Sequence, residues 1–192
     1  MNKRFEFFKE QYYFELTRKG QLGSYLAIPI GFLTAIFTAF AFFAVNLKEL
    51  KVGYLFYCFT LLFLSSIVFT SIAAYHLIKS FKGLTYGYTP EPLKLLDFEK
   101  KYTKYLMDIN EYSEEKIDDK FFAELKKSIV STTNKNRDNN NFRANEILKA
   151  NHNTLYAIII LILASIPFFI CKYQTESDNS DYKPINIYYN ER

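Results

Sequence analysis

The chain has 192 residues, is 49% hydrophobic and 19% aromatic with no tryptophan, and carries a formal net charge of +4. That length suits one modest domain or a small membrane protein. A charge so near balance excludes a protein that coats nucleic acid through its overall field, so any contact with an anion has to be local.

Residues 1–21 open the chain as an amphipathic helix on the cytoplasmic side. Phe5, Phe8, Tyr12 and Leu16 recur at helical spacing with charges between them, a pattern that suits either the inner membrane surface or the cytoplasmic segment. Residues 22–78 follow as a two-span hairpin. Leu22–Val45 contains no charged residue, and neither does Val52–Ile78 if His76 is neutral. At about 1.5 Å per residue both runs are long enough for the ~30 Å hydrocarbon layer. Gly31, Ala35 and Ala39 recur every four residues in the first span and form a small-residue stripe suited to close helix packing. Pro29 is expected to bend the first turn of that span. In the second span Ser66, Thr70 and Ala74 share a face. The hydroxyls suit packing or a weakly polar pore wall, with His76 at the inner end as a candidate gate residue.

Residues 79–153 read as a helical cytoplasmic segment with a sensing role. Gly83, Gly87, Pro90 and Pro92 mark a turn, and Thr89 is positioned to cap a helix opening with Pro90 and Glu91. A second helix is expected from Ser113, with Glu114 and Glu115 in its first turn and an apolar stripe of Ile117, Phe121, Leu125 and Ile129. Neither Gly nor Pro interrupts the chain from there to Pro167, which implies one long helix or two joined in the amide-rich stretch. Residues 154–171 form the third span, which Pro167 is expected to kink, and residues 172–192 an extracytoplasmic tail. Of the 24 Lys and Arg, nineteen fall in residues 1–23 and 79–153, which predicts that these segments are cytoplasmic. The fold class expected is all-α, with three transmembrane helices and the helical segment between spans two and three.

The sequence offers no enzyme chemistry. There are two histidines, His76 and His152, no metal-ligand spacing and six scattered glycines that make no phosphate loop, so neither a metal nor a cofactor is expected. Cys58 and Cys171 fall near the same span ends; a disulfide and two free apolar thiols both remain open.

The unusual feature is Ser131–Asn153, "STTNKNRDNNNFRANEILKANHN", which holds eight asparagines directly before the third span. Asparagine is a poor helix former because its amide competes for backbone hydrogen bonds. The stretch is either a solvated joint or a surface that offers amides and cations to a ligand. In the second reading Asn134, Arg137 and Asn141 share one helix face, and Asn136, Asn140 and Arg143 lie on a neighbouring one. Amides suit base edges and guanidinium groups suit phosphates. Several copies packed about an axis would make these faces a polar chamber.

Three stretches, "EFFKEQYYFELTRKGQLGSYLAIPIGFLTAIFTAF", "YGYTPEP" and "NKNRDNNNFRANEILKANHN", together resemble small bacterial membrane effectors of anti-phage defence. The chain looks most like the membrane component of the Hailong system, across most of residues 6–170. The resemblance implies a homo-oligomeric, tetrameric ion channel in the bacterial inner membrane, with its N-terminus in the cytoplasm. It implies gating by a short DNA oligomer such as oligodeoxyadenylate, supplied by a nucleotidyltransferase-like partner. Opening would depolarise the membrane and arrest growth. Two alternatives share the architecture: a channel gated by a cyclic oligonucleotide, and a scaffold or sensor subunit that conducts nothing.

Overall fold

The computed structural model describes residues 3–82 and 84–180, with the side chains of Glu49 and residues 178–180 left aside. The described chain is all-helical: α1 (Lys3–Tyr25), α2 (Ala27–Asn46), a short 3-10 turn (Leu47–Glu49), α3 (Tyr54–Phe81), α4 (Pro92–Asp108) and α5 (Glu114–Ser180). Three helical stretches are long and apolar enough to cross a membrane: α1 with α2, α3, and α5. The chain divides into two compact units. One holds residues 1–26 and 79–146, and is called the polar unit; the other holds residues 27–78 and 147–192, the apolar unit.

The first break falls at Leu26, not at residue 21, where the composition turns apolar. Pro29 explains it. Proline has no N–H to give the carbonyl four residues back, which is that of Tyr25, so the ladder is interrupted there. The Leu26 N–H instead reaches the Gly23 carbonyl at 3.3 Å, a tighter turn. Pro167 sits inside α5, and the helix continues through it. α5 also runs to Ser180, so the residues expected to begin a tail at 172 are helical, and residues 181–192 lie outside the described part.

In the apolar unit, Phe43, Phe59, Phe63 and Phe168 form the centre. Phe43 and Phe168 meet edge to face with centroids 4.7 Å apart, and Phe59 stacks on Phe63 at 5.4 Å. Small residues let helices approach around them: Ala73, Ala157 and Ala164 are wholly buried. Ser66, also wholly buried, donates from α3 to the Ala157 carbonyl of α5 at 2.9 Å. Lys172 donates to the Asn46 side chain at 3.0 Å, and the thiol of Cys171 to the Lys51 carbonyl at 3.5 Å. Both cysteines are free, with Cys58 half-buried.

In the polar unit, residues 84–91 run extended between the end of α3 and the start of α4. α4 begins at Pro92, two residues after the expected start. Pro92 holds the first-turn position where its missing N–H costs nothing. Thr89 does not cap it; the Thr89 N–H donates to the Tyr12 hydroxyl of α1 at 3.3 Å. α4 closes with a left-handed residue, Asn110 (φ 58°). The Glu111 N–H returns to the Leu106 carbonyl at 2.9 Å and the Asn110 N–H to Met107 at 3.1 Å, which satisfies two orphan carbonyls.

Candidate functional site

The amide-rich stretch is neither a joint nor a loop: it is uninterrupted helix within the 67 residues of α5. What overrides its poor propensity is visible in its partners. Asn136 is wholly buried and pairs with the backbone of residue 87 at both ends, accepting from the Gly87 N–H at 2.8 Å and donating to the Gly87 carbonyl at 3.0 Å. Gly87 makes that approach possible, since a Cβ there would stand 2.8 Å from the Thr132 methyl group. Asn139 donates to the Thr85 carbonyl at 2.9 Å. The extended segment is thus held to α5 by side-chain amides that take the place of a strand partner.

Asn140 is the centre of a second network. Wholly buried, it accepts from the Tyr86 hydroxyl at 2.8 Å and donates to the Glu15 carbonyl at 2.8 Å and the Glu15 carboxylate at 2.9 Å. Glu15 is 1% exposed, an uncommon place for a carboxylate. Its charge is met by Arg137 Nε at 3.3 Å and Arg18 Nη1 at 3.6 Å. Arg137 also donates to the Gln11 side chain at 3.2 Å, and Arg18 to Asn141 at 2.9 Å. Arg143 is buried, donates to the Lys19 carbonyl at 3.3 Å, and lies over the Phe81 ring at 5.5 Å, while its Nε has no hydrogen-bond partner among the described residues. Glu146, 1% exposed, pairs with Lys79 at 3.7 Å.

The five residues predicted to contact a ligand therefore separate. Asn140 and Arg143 are enclosed, and Asn141 is exposed but engaged by Arg18. Asn134 and Arg137 are exposed, and both line a cavity of about 160 Å³ with Phe7, Phe8 and Gln11 of α1. Sequence reasoning missed Glu15 and Tyr86, and it placed Asn136 on a ligand-facing side of the helix where the structure encloses it. A signal for the asparagines was present. In the polar unit the buried residues of α5 include Ile129, Thr133, Asn136, Asn140 and Arg143; in the apolar unit they include Ile147, Ala150, Thr154, Ala157, Leu161, Ala164, Phe168 and Cys171. These positions alternate by four and three throughout, the spacing of a heptad seam. Carried back from the third span, it marks Asn136 and Asn140 as inward-facing.

The residues predicted to line a pore lie among the helices of the apolar unit. Ser66 bonds α5 as described, and Thr70 is buried with its hydroxyl donating to the Ser66 carbonyl at 2.8 Å. His76 is half-buried, with Tyr75 beside it at 5.4 Å. Of the packing stripe, Gly31 and Ala35 are exposed and Ala39 half-buried; a Cβ on Gly31 would meet nothing within 4 Å. α2 instead buries Leu33, Ile36 and Phe43. Among the described residues no group of three or more His, Cys, Asp or Glu could hold a metal ion.

No protein-family model matches the chain, and neither a curated protein nor a solved structure matches it.

Proposed function

We propose that this chain is an oligomeric, channel-type membrane effector of anti-phage defence, gated by a nucleotide or short oligonucleotide that the polar unit binds. The observation that carries the reading is α5. One unbroken helix holds both the amide-rich stretch and the third apolar span, so a change in how α1 and residues 84–91 grip it needs no loop to be passed on. Ligand can shift such an equilibrium only by its difference in affinity between the two states. The exposed Gly31 and Ala35 offer a face on which a second copy could approach closely. The distribution of Lys and Arg favours a multi-pass protein of the bacterial inner membrane with its N-terminus and polar unit in the cytoplasm. A nucleotidyltransferase-like partner would make the ligand, and opening would depolarise the cell and arrest growth.

Ion flux from liposomes holding the purified chain tests this. Flux should begin when a short oligodeoxyadenylate is added and stay at baseline with a cyclic dinucleotide. The opposite preference would support the alternative gating signal. Liposomes silent to both, with the protein inserted, would leave a non-conducting scaffold or sensor.

A further inference from the structure

The polar unit holds one charge that its own network leaves unanswered. Glu15 faces Arg137 and Arg18, and Glu146 faces Lys79. Arg143 is 9% exposed and pairs with no carboxylate among the described residues. Its one hydrogen bond there runs from Nη1 to the Lys19 carbonyl at 3.3 Å. Nε and Nη2 are left, the two donors on one edge of the guanidinium, which meet a phosphate or carboxylate side by side. The Phe81 ring, 5.5 Å from Cζ, offsets part of the cost of burying this cation but supplies no counter-charge.

Gly23 of α1 stands beside that free edge. A Cβ there would lie 3.8 Å from Nη2, and one on Gly20, a turn earlier, would meet nothing within 4 Å. Neither glycine is required by packing within the chain, and each weakens the helix relative to alanine. With Ser24, which like them is exposed, they leave a shallow notch on one face of α1, and Arg143 reaches it from α5. Chain order sets the level of this notch. Gly23, Phe81 and Arg143 each stand within four residues of the point where their helix passes into the apolar unit. At 1.5 Å per residue that is about 6 Å or less. The headgroup layer of a bilayer extends roughly 5–8 Å beyond its hydrocarbon, so with the apolar unit in the membrane the notch falls among lipid phosphates.

We propose that this notch holds the headgroup of an anionic phospholipid, with Arg143 as the anchor of its phosphate. One phosphate oxygen accepts from Nη2, and a small shift of the enclosed guanidinium brings Nε to a second. Gly20 and Gly23 leave room for the headgroup. Lys82, exposed beside Phe81, adds positive charge that favours an anionic lipid over a zwitterionic one. The inference rests on the membrane placement in the reading above and is independent of the gating signal. A soluble phosphate would satisfy the same donors, but only a lipid is concentrated at this level. From α5 the guanidinium already touches α1 and α3, so a bound headgroup would fix three helices together where they leave the polar unit.

The test uses the full chain released from detergent micelles, with native mass spectrometry counting the lipid it retains. The micelles contain graded phosphatidylglycerol or phosphatidylcholine, and parallel samples receive inorganic phosphate. The wild type should keep phosphatidylglycerol in clear preference to phosphatidylcholine. Arg143→Gln should raise the phosphatidylglycerol needed for half-occupancy roughly 10- to 160-fold, the equivalent of ~1.5–3 kcal/mol for a hydrogen bond to a charged group. A buried arginine also supports the fold, so Gly23→Leu is the second variant. It leaves Arg143 in place, improves helix propensity and fills the notch. It should lose phosphatidylglycerol to a similar degree with unchanged helical content. If phosphatidylcholine is kept as well as phosphatidylglycerol, the charge of the headgroup is not read and the proposal fails. If inorganic phosphate displaces the lipid at equal concentration, the site belongs to a soluble anion. Should either variant retain the lipid like the wild type, the notch over Arg143 is not its seat, although the membrane reading stands. A wild type that does not float with phospholipid vesicles removes the membrane placement and the site with it.

Discussion

The two units solve one packing problem with opposite chemistry. In the apolar unit the α5 seam is Ala150, Thr154, Ala157, Leu161, Ala164 and Phe168, and its contacts are close approach and ring packing. In the polar unit the same four-three spacing presents Thr133, whose hydroxyl bonds within α5, and then Asn136, Asn140 and Arg143, whose contacts are hydrogen bonds to α1 and to residues 84–91. The difference follows from what is being packed. Small side chains suit helix against helix, where backbones can come near. An extended segment carries backbone groups with no ladder partner, and amides can serve both its N–H and its C=O. A helix made from asparagine is thus stabilised by the groups it satisfies elsewhere, against its own propensity.

The sharpest way to break this comparison is to give the polar seam the apolar unit's chemistry. Asn140→Leu keeps the side chain's branching and number of heavy atoms and improves helix propensity, so a helix-centred view expects stabilisation. It also takes the Asn140 amide away from the Tyr86 hydroxyl and the Glu15 carbonyl, while the Glu15 carboxylate loses one of its three contacts and keeps Arg137 and Arg18. At ~1–3 kcal/mol for each buried group left unmade, the loss should be on the order of 3 kcal/mol or more. Thermal unfolding in detergent followed by circular dichroism would read it, with proteolysis near residues 84–91 as a local report. A variant that melts with the wild type would show that the amide network carries no stability.

The converse change belongs to the apolar unit. Ala157→Leu places three extra carbons at a wholly buried position whose carbonyl accepts from Ser66. Overpacking of this kind costs about 1–3 kcal/mol. Ser66→Ala, which removes only the hydrogen bond, should cost ~0.6 and at most about 1.7 kcal/mol, because hydrogen bonds between membrane helices are worth little more. Denaturation in mixed micelles can rank the pair. If Ser66→Ala proved the more damaging, the hydrogen bond and not close approach would hold α3 to α5.

The three helices long and apolar enough to cross a membrane were legible because eighteen or more consecutive residues without a charge leave few alternatives. Their ends were less so. Hydropathy changes at residue 21, but the helix breaks at Leu26 because Pro29 deletes a hydrogen bond, a covalent fact about one position. The α4 start was misplaced for a similar reason: two prolines compete at 90 and 92, and the Thr89 N–H is taken by Tyr12 of a distant helix. The amide stretch was read through propensity and surface chemistry, and half of that reading could have been corrected from the seam spacing alone. Glu15 could not have been found this way. Its burial depends on Asn140, Arg137 and Arg18 converging from two helices, and one chain's spacing says nothing of which helices will meet.

The smallest expected effect lies at an exposed contact, where polar groups are paired but not enclosed. Lys116, in the first turn of α5, donates to the Glu111 carboxylate at 2.7 Å. That hydrogen bond, then the attraction of the two charges, holds the Glu111 carboxyl below the ordinary glutamate range and pushes the Lys116 ammonium above the ordinary lysine range. The signs differ at the two ends of the pH scale. The glutamate's contribution is present above its unfolded value and is lost as pH falls through the lowered folded one. The lysine's is present below its unfolded value and is lost as pH rises through the raised folded one. The contact is therefore complete at neutral pH, and water and salt screen it because both partners are exposed. Glu111→Gln should leave global melting unchanged and speed amide hydrogen exchange only in the first turn of α5, where local opening is detected separately from global unfolding. The excess exchange over wild type should be present at neutral pH, shrink as salt is raised, and disappear in acid once Glu111 is protonated in both states. An excess that persisted in acid, or a global melting loss like that of Asn140→Leu, would mean that exposed and enclosed polar contacts in this unit do not differ in kind.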